Sequence, residues 1–276
     1  MLKTRILTVL ILLPLFAAAL FYLSQAGWAL CVAPLALIGA WEWGALAGWG
    51  TRARFAYVGA IAVGAALLWH YGHGAAPTAP WVLVTAFAAS LLFWLVVAPL
   101  WLGRGWRVNS PLALAGAGAL LLLPLWSALV WWHPNPGLLL LLMAIVWISD
   151  TAAYFCGRLW GRRKLAPSIS PGKTWEGVCG ALVAVSGYYW LTRVAGMDSP
   201  AVLQGMSGFG VYWFVAVLGI EGDLFESWIK RTAGVKDSGT LFPGHGGVMD
   251  RIDALTAGIP AVTLLALLAL LAQGVR

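Results

Sequence analysis

Charge is scarce in this chain. Only 10% of its 276 residues are Asp, Glu, Lys or Arg, whereas a soluble domain carries about 25%. So few charges cannot build a water-facing surface, which excludes an ordinary soluble globular protein. Cysteine is scarcer still: Cys31, Cys156 and Cys179 each lie within or beside an apolar stretch, and none forms a C-x-x-C pair. That excludes a disulfide framework and a cysteine-rich zinc site, and reads the three as small buried hydrophobes. Acidic residues number ten, and all but Glu42 fall between Asp150 and Asp253. Low-complexity segments and internal repeats are absent.

Apolar residues are abundant. The chain is 61% hydrophobic with 18 Trp, and its mean hydropathy is +0.85. Trp favours the membrane interface. A bilayer-spanning helix needs about 20 mainly apolar residues. Nine stretches meet that need: 6–24, 27–47, 55–72, 80–102, 111–132, 137–157, 176–192, 208–228 and 252–272. The expected fold is an all-α integral membrane protein of about nine transmembrane helices with no separate soluble domain. The first stretch follows Lys3 and Arg5 and is long for a signal peptide, so it reads as an uncleaved anchor.

The loops fix the expected orientation. With the N-terminus cytoplasmic, 15 of the 17 basic residues fall on one side, and only Arg193 and Arg276 fall on the other. This is the positive-inside pattern. It also disposes of a nucleic-acid reading of the net charge of +7, because the charges occupy short gaps between apolar runs, where they meet anionic lipid. The location expected from this is a multi-pass position in the cell membrane, the inner membrane if the source is bacterial. Residues 1–140 read as scaffold helices. Residues 141–276, with two long cytoplasmic loops and most of the acidic residues, read as the catalytic region.

The richest stretch runs from Glu221 to Asp253. Asp223, Glu226, Ser227 and Lys230 are spaced to share one helix face. Ionisable residues there are costly and mark function. Lys230-Arg231 is followed by Lys236, Asp237 and a glycine turn, Pro243-Gly244-His245-Gly246-Gly247, whose backbone can approach an anion closely. Asp250, Arg251 and Asp253 then open a helix whose N-terminus carries partial positive charge. Carboxylates suit a hard cation, and Lys and Arg suit phosphate oxygens.

The pattern Ser227-x-x-Lys230-Arg231-x4-Lys236-Asp237-x-Gly239-x2-Phe242-Pro243-Gly244-His245-Gly246-Gly247-x-x-Asp250-Arg251-x-Asp253 resembles the signature of phosphatidate cytidylyltransferases. A second block agrees with it: Ser149-Asp150-Thr151-x-Ala153-Tyr154, Gly157-Arg158, and Ser168-x-Ser170-Pro171-Gly172-Lys173-Thr174-Trp175-Glu176-Gly177. The resemblance covers roughly residues 145–255. It implies transfer of CMP from CTP to phosphatidic acid, with a divalent metal, Mg²⁺, and room for a paired K⁺, and it suggests a homodimer. On this reading Asp223, Asp250, Lys230 and Arg251 are catalytic. Asp223 and Asp250 are the chief metal ligands, with Asp253, Ser227 and Glu226 behind them. Arg231 and Lys236 bind phosphate with Lys230 and Arg251, Lys173 and Arg158 help from the other loop, and His245, Gly246 and Gly247 line the turn.

Competing readings are weaker. Gly172-Lys173-Thr174 looks like the end of a P-loop, but position 167 is Pro where that motif needs Gly. The D-G-x2-A-R run of CDP-alcohol phosphotransferases is absent. A transporter would line a path through the bilayer with charge, whereas these charges gather at one face. His70 and His73 read as an interfacial loop rather than a metal pair. Glu42, alone inside an apolar helix, is open between a cavity and the interface.

Overall fold

The computed structural model describes residues 14–73, 81–197, 200–241 and 246–273. Residues 14–22 are helical (α1). Then follow α2 (Gln25–Leu46), α3 (Thr51–Leu68), α4 (Trp81–Leu92), α5 (Ala98–Arg104), α6 (Pro111–Trp132) and α7 (Pro136–Trp160). A short hairpin, β1 (Lys164–Ala166) and β2 (Ser170–Thr174), leads into α8 (Trp175–Val194), α9 (Gly205–Thr232) and α10 (Met249–Ala272). The π-helical turn Trp69–His73 extends α3, and another at Phe93–Val97 joins α4 to α5. The antiparallel hairpin is the one departure, among the described residues, from an all-helical chain.

Seven helices among the described residues are long and apolar enough to cross a membrane: Gln25–Leu46, Thr51–His73, Trp81–Arg104, Pro111–Trp132, Pro136–Trp160, Gly205–Thr232 and Met249–Ala272. They coincide with seven of the nine expected stretches. The expected span 176–192 is helical within α8, but Gly, Ser, Thr and Tyr dilute its apolar character. Residues 6–13 of the first expected span lie outside the described residues, and 14–22 are helical.

The chain forms two compact units of interleaved segments. One contains Met1–Ala86, Trp106–Leu139 and Ile229–Ile252; the other contains Phe87–Gly105, Leu140–Trp228 and Asp253–Arg276. One boundary between the units falls at residue 139, and the first unit also takes in the end of α9 and the start of α10.

Within the first unit, α2 packs on α3 and α6. Indole N–H groups tie these helices together: Trp28 donates to the Leu129 carbonyl at 3.0 Å, Trp43 to Leu114 at 2.8 Å and Trp126 to Ala29 at 3.1 Å. Within the second unit, Trp94 donates to the Thr256 carbonyl at 3.2 Å, and Phe93, Trp94 and Trp101 pack edge-on around Phe225. Several Trp are therefore core residues rather than interfacial anchors: Trp28, Trp43, Trp94 and Trp132 are fully buried. The apolar body favours the interior, and a carbonyl that satisfies the N–H removes the cost of burying it. The cysteines correct the expectation in the other sense. All three are unpaired, but Cys31 and Cys179 are exposed on their helices rather than buried.

Candidate functional site

In the second unit the sequence between α7 and α9 builds a concave site. Thr174 has extended backbone, and its side chain accepts from Gly177 N, which caps α8. The Glu176 carboxylate accepts from the backbone N–H groups of Arg162 (3.0 Å) and Arg163 (3.2 Å), pinning the hairpin to the start of α8. A side chain at Gly177 would press into the Ala153 carbonyl, so glycine lets α8 lie close against α7. Lys173, on β2, reaches α9 from this platform. Its Nζ is 2.7 Å from Asp223 Oδ2 and donates to the Ile220 carbonyl at 3.1 Å. Ser227, one turn further along α9, donates to Asp223 Oδ1 at 3.2 Å.

A cavity of about 450 Å³ opens here. Asp150, Tyr154, Arg158, Ser170, Lys173 and Asp223 supply its polar lining, and Leu165, Val178 and Ile220 are among its apolar residues. Arg158 is exposed, and its guanidinium donates to the Tyr154 hydroxyl at 3.0 Å. The charges of Asp223 and Lys173 act on Asp150, and those of Asp223, Glu226 and Asp150 act on Asp253. This cluster of the second unit is thus a set of mutually repelling carboxylates with Lys173 inserted among them. Such a set can hold cations and, through Lys173 and Arg158, phosphate oxygens. Among the described residues no three His, Cys, Asp or Glu side chains converge closely enough to hold a metal ion.

A second cluster lies within the first unit. Asp250 is engaged on both oxygens: Oδ1 takes Lys230 Nζ at 2.5 Å, and Oδ2 takes Ser238 N (2.9 Å), Ser238 Oγ (3.0 Å) and Gly247 N (2.8 Å). Gly246 has φ +80°, the left-handed region that suits glycine. Glu42 of α2 is buried beside this turn. It accepts from Val248 N at 3.0 Å, Met249 N at 2.9 Å and Ser238 Oγ at 2.9 Å. The start of α10, expected to attract substrate phosphate, is therefore occupied by the chain's own carboxylates. Glu42 is buried against the polar groups of this turn.

The expected site residues thus fall into two sets. Asp223, Ser227, Asp253, Lys173 and Arg158 belong to the second unit. Lys230, Asp250, Gly246 and Gly247 belong to the first, and there Asp250 holds Lys230. Arg231 is exposed and donates to the Val235 carbonyl at the end of α9; Lys236 and Arg251 are exposed. His245 lies outside the described residues. His73 is buried, with its Nε2 2.7 Å from the buried Ser127 hydroxyl. The sequence reading gave no role to Asp150, although it stood inside a recognised motif. It also missed Ser238, a common residue in a turn, and left Glu42 undecided although a lone acid in an apolar helix is itself a signal.

Comparison with known proteins agrees in one direction. A model of the cytidylyltransferase family matches residues 3–269. The phosphatidate cytidylyltransferase of Pseudomonas aeruginosa is 40% identical over 279 residues, covering 96% of this chain and 97% of the relative. The protein of the same name from Haemophilus influenzae is 35% identical over 283 residues, 94% and 96% of the two chains. That of Thermotoga maritima is 42% identical over 118 residues, 42% of this chain and 44% of the relative.

Proposed function

The chain belongs to the cytidylyltransferase family, and we propose from this that it transfers CMP from CTP to phosphatidic acid, releasing pyrophosphate and forming CDP-diacylglycerol in the membrane. The structural observation that carries the reading is the cavity in which Lys173 and Arg158 stand among the carboxylates of Asp150 and Asp223. Apolar Leu165, Val178 and Ile220 beside them suit a substrate that is half lipid.

A phosphate oxygen of phosphatidic acid attacks the α-phosphorus of CTP in line. A new P–O bond forms, the bond from Pα to the bridging oxygen breaks, and pyrophosphate leaves with that electron pair. The nucleophile is already an anion near neutral pH, so no strong base is needed. The obstacle is the repulsion between two anions outside bulk water, and catalysis is chiefly positioning and charge neutralisation. Lys173 and Arg158 bind phosphate oxygens at the cavity of the second unit, and within the first unit Asp250 holds Lys230, a cation suited to phosphate.

A divalent cation fits the donor chemistry. Asp150, Asp223 and Asp253 offer hard oxygens whose mutual repulsion a cation would relieve, and they would have to draw together to chelate it. When bound, Mg²⁺ supplies further neutralisation of phosphate charge. We assign Asp250 to Lys230 rather than to this set, because both of its oxygens are engaged. The site facing the cytoplasm is part of the same proposal, supported by the distribution of basic residues and by the cytosolic location of CTP.

Purified full-length protein in detergent should release pyrophosphate from CTP only when phosphatidic acid is present. No release with Mg²⁺ supplied would overturn the reading.

A further inference from the structure

We infer that Glu42 is a positioning residue for the proposed reaction, acting from an N-terminal helix on the glycine turn and, through Ser238, on Asp250 and Lys230. Glu42 is 5% exposed, in the middle of an otherwise apolar part of α2. Such a residue is costly to keep and needs compensating partners. Its partners lie in the turn: Val248 N, Met249 N and Ser238 Oγ. Gly239 and Gly247 approach it so closely that a Cβ on either would collide with its carboxylate. The two backbone donors belong to the start of α10, where a negative group is favoured by the helix dipole.

Ser238 makes the connection onward. Its hydroxyl touches both Glu42 Oε2 and Asp250 Oδ2, and its N–H donates to the same Asp250 oxygen. The other Asp250 oxygen holds Lys230 Nζ. The line Glu42–Ser238–Asp250–Lys230 therefore runs from α2 to α9 within one compact unit. Glu42 touches no substrate on this reading. It sets the turn, and the turn sets the cation. This matters because small misplacements of positioned groups cost on the order of 10²-fold in rate.

The inference rests on the proposed reaction only in its kinetic part, so the test has two readouts on full-length protein in detergent. In Glu42→Gln, hydrogen–deuterium exchange at the Val248 and Met249 amides should rise about ten-fold or more while α6 amides keep their wild-type rates, and kcat should fall about ten-fold or more. Unchanged exchange at those two amides, exchange raised equally in α6, or an unchanged kcat would each overturn the inference. Should Glu42→Gln fail to fold, Ser238→Ala decides. It keeps both backbone donors to Glu42, so exchange at Val248 and Met249 should hold while kcat falls; a wild-type kcat there overturns the inference. Absence of turnover in the wild-type protein would instead sink the reaction assignment, and exchange would still decide whether Glu42 holds the turn.

Discussion

Lys230 Nζ lies 2.5 Å from Asp250 Oδ1, with the two side chains only 11% and 6% exposed. Removing one member of a buried pair leaves an uncompensated charge and costs about 3–5 kcal/mol. Asp250→Asn and Lys230→Met are each expected to lower the melting temperature in detergent. The double variant should lose less than the sum of the two, because neither charge is then stranded. Additive losses would mean that the two side chains do not depend on each other.

The glycine turn gives a paired expectation. Gly247→Ala puts a Cβ into the Glu42 carboxylate and the Ser238 hydroxyl, so the turn must move. Activity should drop about ten-fold or more through displacement of the Asp250 contacts. Gly59, in the interior of α3, has open space where its Cβ would stand. Gly59→Ala should be neutral or stabilising by about 0.5–1 kcal/mol, since alanine is the better helix former. Thermal melts and turnover of the two variants, side by side, check both halves.

The sequence made the spans legible because a membrane helix must satisfy its own backbone, and only a long apolar run can do so there. It made Asp223, Lys230 and Asp250 legible because charge next to apolar helix needs a reason. Pairing is what spacing along the chain does not reveal. Asp223 and Lys230 share a helix, yet Asp223 pairs with Lys173 from the hairpin and Lys230 with Asp250 from α10. Glu42 is separated from Val248 by 206 positions, so nothing local in either segment announces their contact. The start of α10 read as open to phosphate for the same reason: its local sequence does not record that a distant carboxylate already fills it.

Lys173 should show its role in kinetics more than in stability. Its pair with Asp223 is partly exposed, 20% and 35% for the two side chains, so its loss removes little folding energy. Lys173→Ala is expected to lower kcat/KM about 10²-fold or more, the usual size for a lost donor to transition-state charge. Lys173→Arg keeps the charge but not the compact ammonium that fits between Asp223 and the Ile220 carbonyl, and should recover only part of the rate. Full recovery by arginine would show that charge alone is needed there. A large fall in melting temperature for Lys173→Ala would shift the lysine to a structural role.

The proposed metal dependence should separate the two acidic clusters. Chelation with EDTA should stop turnover, and Mg²⁺ should restore it. The affinity of such a site follows the number of charged oxygen ligands. Asp150→Asn, Asp223→Asn and Asp253→Asn should therefore each raise the Mg²⁺ concentration for half-maximal activity by about ten-fold or more. Asp250→Asn acts on Lys230 instead. It should lower kcat and stability while leaving the Mg²⁺ midpoint of the remaining activity near the wild-type value. A midpoint that moves with Asp250 and not with Asp150 would exchange their assignments, returning Asp250 to the metal and leaving Lys230 to be positioned by other means.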